Sequence, residues 1–145
     1  MLRLIALVAS MIICSQQSFA DVVVEGYCFS SDNNKQIRFE LRTYFDMDSQ
    51  WRTAYVKYAK AKTPIPLILA TSKSMASKSD RPDASTRSWT EFSNGQASGT
   101  YQMTSQGGSV SEMTYTNTAS HKQVGFILDA NTEFDPHGGC RWDAR

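Results

Sequence analysis

The residues best suited to chemistry stand together near the end of the chain, in the segment EFDPHGGCRW at positions 133–142. An imidazole beside a carboxylate can act as a general acid–base pair, or the two groups can share a metal ion. His137 with Asp135 or Asp143 is therefore the candidate pair for a small secreted hydrolase or a metal-dependent enzyme.

The spacings that usually accompany such chemistry are missing from the sequence. There is no Gly-x-Ser-x-Gly elbow, no His-Glu-x-x-His motif, no Cys-x-x-Cys pair and no complete calcium-binding loop. We therefore assign no catalytic residue and no metal ligand, and we expect no cofactor. A binding protein is favoured over an enzyme.

The N-terminus has the pattern of a secretory signal peptide. Arg3 gives it a positive start, an apolar run follows from Leu4 to Cys14, and Ser18 and Ala20 provide small residues for cleavage. The apolar run is shorter than the ~20 residues that span a bilayer, so no transmembrane segment is expected after processing. Cleavage before Asp21 would leave residues 21–145 as a single β-domain, periplasmic or secreted.

Two cysteines remain after such processing, Cys28 near the new N-terminus and Cys140 near the C-terminus. In an oxidising compartment this pair predicts a disulfide between the two ends of the domain. The chain-entropy model gives a loop of this length roughly 4 to 5 kcal/mol of stabilisation. On this interpretation the segment 133–142 is an anchor, with Gly138 and Gly139 giving the backbone freedom to place the sulfur.

Charge is balanced over the whole chain but segregated along it. Without Arg3, 14 Lys and Arg residues match 14 Asp and Glu residues, so no nucleic-acid partner is expected. The stretch from Trp51 to Arg81, however, holds seven basic residues and one acidic residue. Its candidate binding residues combine cations with aromatic rings: Arg52, Tyr55, Lys57, Tyr58, Lys60 and Lys62. The alternative is a solvated lysine-rich face that protects a sheet edge.

Alternating side chains indicate the elements that must position these groups. Ile37, Phe39 and Leu41 alternate with charged neighbours, which predicts a half-buried antiparallel strand. Similar patterns predict further strands near residues 22–29, 51–58, 67–71, 89–92, 98–104, 110–116 and 123–128. Residues 59–62 are compatible with a short helix, and the Ser-, Lys- and Pro-rich stretch 72–88 predicts the longest exposed loop.

Short strands joined by tight turns, including Asn94-Gly95 and Gly107-Gly108, predict an all-β fold. We expect a single-domain antiparallel meander of about eight strands that closes like a barrel, with a two-sheet β-sandwich as the alternative.

The sequence as a whole favours an exported, non-enzymatic binding module of the inhibitor, immunity or envelope-associated type. Its partner would be an anionic protein, glycan or lipid that meets the loops and the basic segment. Two alternatives remain: the small hydrolase or metal-dependent enzyme built on His137, and a structural component of an envelope assembly.

Overall fold

The computed structural model describes residues 21–32, 36–76 and 80–142. The predicted signal peptide and the candidate carboxylate Asp143 lie outside these ranges. Within them the strands are β1 (Val22–Ser31), β2 (Arg38–Asp46), β3 (Arg52–Tyr58), β4 (Ile65–Met75), β5 (Ala84–Ser93), β6 (Gln96–Gln106), β7 (Ser109–Asn117), β8 (Gln123–Leu128), β9 (Phe134–Asp135) and β10 (Gly139–Cys140).

Strands β1 to β8 form a closed antiparallel barrel in which each strand pairs with the next one along the chain. The barrel closes where β1 pairs with β8, with Phe29 opposite Leu128 and Ser31 opposite Phe126. Strands β9 and β10 form a separate two-stranded sheet. The predicted all-β meander and its barrel-like closure are confirmed, and the two-sheet sandwich is wrong.

The described residues contain no α-helix, so the helix considered for residues 59–62 is wrong: this stretch is part of the connection between β3 and β4. None of the described segments is a helix of the length and apolarity that crossing a membrane requires.

Alternate residues along the strands fill the barrel interior, as the two-residue period of a β-strand requires. The ring centroid of Phe39 lies 4.8 Å from that of Phe126 and 5.3 Å from that of Phe29. The buried cluster comprises Phe29, Phe39, Leu41, Ala54, Val56, Leu67, Trp89, Tyr101, Met103, Met113 and Phe126. Burial of each large side chain contributes about 1.5–3 kcal/mol to folding.

The long loop predicted for residues 72–88 is wrong. Instead of one long loop, β4 continues to Met75 and β5 begins at Ala84, and the two strands pair along this extension. The hydroxyls of Thr71 and Ser88 share a hydrogen bond of 2.7 Å across the pair. Ser and Thr side chains support strand pairing through such contacts, although their polarity resembles that of a loop.

The C-terminal segment, residues 133–142, crosses the outer face of β1 and β2. Cys140 is bonded to Cys28 with a Cα–Cα distance of 5.8 Å, which confirms the predicted disulfide between the two ends of the domain. The ring of Phe134 lies so close to Gly26 that a Cβ atom at this glycine would overlap it. Gly139 has a φ of +86°, which favours glycine, as expected for the backbone next to Cys140.

Candidate functional site

The barrel has two ends with different chemistry. We call the first the cavity end; it is formed by the turn at residues 47–51, residues 80–83 and the turn at residues 107–108. At the second, the lysine end, residues 59–64, 94–95 and 118–122 connect the strands.

A cavity of about 170 Å³ lies inside the cavity end, between β1, β2, β3, β4 and β5. Trp89 is only 2% exposed and marks the inner limit of this space, whereas Val23 is 43% exposed and stands at its rim. The apolar part of the lining comes from Val23, Phe45, Leu69 and Trp89. The space is therefore open to solvent on one side and apolar at depth, which is typical of small-ligand sites.

An ion pair spans the cavity from one side of the barrel to the other. The Arg87 guanidinium on β5 donates to the Glu25 carboxylate on β1 across 3.1 Å. The hydroxyls of Thr43 and Tyr27 also approach this carboxylate, each at 3.4 Å. The side chains of Arg87 and Glu25 are 28% and 43% exposed, so the pair lies at the open part of the cavity, with its geometry set mainly by the Arg87 contact.

A second cation, Arg52, also lines the cavity. Its guanidinium carbon lies 4.2 Å from the centroid of the Phe45 ring, a cation–π contact that holds the side chain at the rim. No carboxylate in the described part of the chain forms an ion pair with Arg52. Since Glu25 balances only Arg87, the lining carries one positive charge in excess.

The structure separates the six residues that the sequence predicted for binding. All four cations are exposed, but Arg52 stands at the rim of the cavity, whereas Lys57, Lys60 and Lys62 lie towards the lysine end of the barrel. The two-residue period of β3 and the length of that strand account for this separation. The basic segment therefore contributes to two surfaces, one at each end.

The hydroxyls of the two predicted tyrosines are hydrogen-bonded to other side chains of the protein. Tyr55 points outward from β3, and its hydroxyl donates to Glu40 across 3.1 Å. Burial, followed by the charge of Glu40, raises the pKa of Tyr55. The hydroxyl of Tyr58 shares a hydrogen bond of 2.8 Å with that of Tyr101. Both tyrosines therefore support the barrel wall.

A hydrogen-bonded network fills the lysine end of the interior. The Tyr101 hydroxyl donates to one oxygen of Glu91 across 3.0 Å, and the Ser98 hydroxyl donates to the other across 2.7 Å. Tyr101 is fully buried, and this burial raises its pKa far above the ordinary value; burial also raises the pKa of Tyr58. These bonded groups occupy the end of the barrel opposite the cavity.

The carboxylate predicted to assist His137 has other partners. Asp135 accepts hydrogen bonds from the backbone N–H groups of His137 at 2.8 Å and Gly138 at 3.2 Å, and its second oxygen pairs with Arg141 at 2.7 Å. The Arg141 guanidinium, followed by these N–H groups, lowers the pKa of Asp135 to about 2. The His137 side chain is exposed, and it forms no ion pair with a described carboxylate.

No three His, Cys, Asp or Glu side chains in the described ranges are arranged to hold a metal ion. The geometry of Asp135 is that of a turn, in which one side chain caps the backbone and holds Arg141.

Below this turn lies a buried ion pair. The alternating pattern of β2 predicted that its two residues would face solvent. Arg42 and Glu40 meet at 2.8 Å with side-chain exposures of 10% and 6%. The Cys140 N–H donates to Glu40 across 3.0 Å, and Arg42 donates to the Pro136 carbonyl across 3.0 Å. The C-terminal segment thus satisfies the groups that it covers, as burial of charge demands.

Of the residues that line the cavity, only Arg52 was among the predicted binding residues; the most important of the others are Glu25, Arg87 and Trp89. Glu25 has the same strand parity as the interior residue Phe29, which is a usable signal. Arg87 gave none, because it falls in the stretch interpreted as a loop. Only barrel closure places β5 opposite β1.

We compared the chain with protein families, curated proteins and solved structures. No protein-family model matches the chain, and no curated protein or solved structure matches it.

Proposed function

We propose that the protein is an exported, non-enzymatic binding module that takes a small anionic ligand into the cavity end of its barrel. The observation that carries the proposal is the pairing of charges in the cavity. Arg52 stands without an acidic partner in the described chain, beside a Glu25–Arg87 pair that is already balanced. An anion would neutralise the remaining charge.

The apolar lining supports a ligand that has both a charged group and an apolar body. Trp89, Leu69 and Phe45 offer surfaces from which water is readily displaced, and Arg52 offers hydrogen-bond donors at the rim. Burial of apolar area gives affinity, while the guanidinium fixes the orientation of the ligand. The signal-peptide pattern and the disulfide support a site of action outside the cytoplasm.

Benzoate is a suitable probe because it joins one carboxylate to one aromatic ring. We expect it to bind with a dissociation constant of about 1 mM or below, as its size allows. Benzamide, its neutral counterpart, should bind at least about tenfold more weakly because it forms no charge-assisted contact with Arg52. Isothermal titration calorimetry measures both affinities.

The variant Arg52→Gln should weaken benzoate binding by about tenfold, because it removes the unbalanced charge and leaves a shorter, neutral polar side chain. Lys73→Gln is the matched control, since Lys73 is exposed on β4 and lies outside the cavity lining. Equal affinities for benzoate and benzamide, or unchanged binding in Arg52→Gln, would refute the proposal.

A second candidate is contact of the lysine end with a larger anionic partner in the envelope. Lys57, Lys60 and Lys62 are exposed there and form no ion pair with a described carboxylate. A partner at this end would leave the cavity free.

Heparin, an anionic glycan, serves as the probe for the lysine end. The variant Lys60→Glu/Lys62→Glu should elute from a heparin column at clearly lower salt than the wild type, because surface attraction to a polyanion depends on local positive charge. The control Lys73→Glu/Arg81→Glu makes the same change of net charge elsewhere. Equal loss of retention in both variants would show that only net charge matters.

A further inference from the structure

The charged groups of the cavity restrict which anion fits. Two guanidiniums and one carboxylate line it, so a ligand with one negative charge brings the site to neutrality. A ligand with two would leave one negative charge uncompensated beside Glu25. Desolvation of an ion rises with the square of its charge, so the second charge is the more expensive one to bring in.

Glu25 is the residue that would meet a second negative charge on the ligand. Its carboxylate pairs with Arg87 at 3.1 Å and is approached by the Thr43 hydroxyl at 3.4 Å. The ion pair with Arg87 favours the orientation in which this partly exposed carboxylate faces the cavity. Arg87 has five N–H donors, so it can keep Glu25 and still offer donors to a ligand.

The size of the cavity restricts the body of the ligand. Its volume of about 170 Å³ is similar to that of engineered apolar cavities of about 150 Å³, which hold one benzene molecule. One aromatic ring, or an aliphatic chain of similar volume, fills the space between Trp89 and the rim. Larger bodies would have to project into solvent.

We infer that the barrel selects small monoanions with a single-ring or short-chain apolar body, and that Glu25 is the residue that discriminates against dianions. This inference rests on the proposed function, since it names the ligand class of the same cavity. Arg52 and Arg87 receive the anionic group, Trp89 and Leu69 contact the apolar body, and Glu25 repels a second negative charge.

Benzenesulfonate and phenyl phosphate are the probes, because each joins one phenyl ring to a tetrahedral oxyanion and the two differ in charge at pH 8. The second ionisation of a phosphate monoester lies near pH 6, so phenyl phosphate is then a dianion. Wild-type protein should bind benzenesulfonate about tenfold more tightly, an effect typical of one additional charge–charge contact. Glu25→Gln should remove or reverse this preference. Glu112→Gln, on the exposed part of β7, is the control that should preserve it.

A measurement on the wild-type protein avoids any effect of the variant on folding. Between pH 5 and 8, phenyl phosphate changes from monoanion to dianion, and its affinity should fall with that ionisation. Benzenesulfonate does not titrate in this range, so its affinity reports any change in the protein itself. The ratio of the two affinities isolates the effect of ligand charge.

The double variant Glu25→Gln/Arg87→Gln adds a further check, because Arg52 alone again leaves one positive charge in the cavity. Preference for the monoanion should return in part. If the wild type binds both probes equally at pH 8, or Glu25→Gln leaves the ratio unchanged, the inference is overturned while the proposed function stands. If neither probe nor benzoate binds, the proposed function itself fails.

Discussion

Arg52 is the residue on which the proposed site most depends. Its setting differs from that of the lysines nearby in the basic segment. It lies over the ring of Phe45 at the rim of a cavity, whereas Lys57 and Lys60 stand near the other end of the barrel. The type of the residue was readable from the sequence; its neighbours were not.

Tyr101 illustrates how burial links a single side chain to the stability of the barrel. Its folded pKa is raised above the ordinary value of about 10, first by burial and then by its hydrogen bond with Tyr58. The folded state therefore favours the protonated form. This contribution is complete below pH ~10 and is lost as the pH rises above it.

We predict that the free energy of unfolding falls between pH 9 and 11, and that it falls less steeply in Tyr101→Phe, which has no hydroxyl to ionise at this site. At neutral pH the variant should be about 1–2 kcal/mol less stable, since it loses contacts with Tyr58 and Glu91. Urea unfolding at several pH values measures both effects. Parallel pH profiles for the two proteins would contradict this interpretation.

At the scale of elements, the C-terminal segment converts a solvent-facing part of β2 into a buried one. Alternation along β2 correctly placed Phe39 and Leu41 inside the barrel. It also placed Glu40 and Arg42 in solvent, where they would lie if residues 133–142 did not cover them. Cys28 indicates this cover: it lies opposite Glu40 in the strand register, and its disulfide brings Cys140 to the same face.

Removing the disulfide should therefore affect both the unfolded state and the folded one. The variant Cys28→Ser/Cys140→Ser should be about 2–4 kcal/mol less stable, because the unfolded state gains freedom and the cover over Glu40 and Arg42 loosens. Urea unfolding measures the first effect, and faster hydrogen exchange at the Cys140 position (now Ser) measures the second. Slow exchange at this amide in the variant would show that the other contacts suffice to hold the segment.

The hairpin of β4 and β5 contains strand residues that amino-acid composition does not predict. Residues 72–75 and 84–88 are rich in Ser, Thr and Lys, so they carry no apolar alternation. Their pairing depends on neighbours in the sheet, such as the Ser85 and Ser105 hydroxyls at 2.9 Å. Apolar alternation identifies strands whose side chains face a hydrophobic core. These parts of β4 and β5 extend past the core, so the alternation is absent there.

At the scale of the whole molecule, the closed barrel is what creates the site. Fold class, the meander order and the disulfide were predictable because they depend on local turns, alternation and cysteine number. The cavity was not, because Glu25 and Arg87 are 62 positions apart and meet only when the sheet closes. Closure also keeps the cavity and the exposed lysines at opposite ends, so ligand binding and partner contact can be separated by mutation.

Binding at the cavity end is tested by following the Trp89 indole N–H with nuclear magnetic resonance during a benzoate titration. We expect a saturable change of its chemical shift, together with changes at the side-chain N–H groups of Arg52 and Arg87. In Arg52→Gln the Trp89 change should require about tenfold more benzoate. Shifts confined to Lys57, Lys60 and Lys62, or no saturable shift at Trp89, would contradict the central claim that the cavity end binds anions.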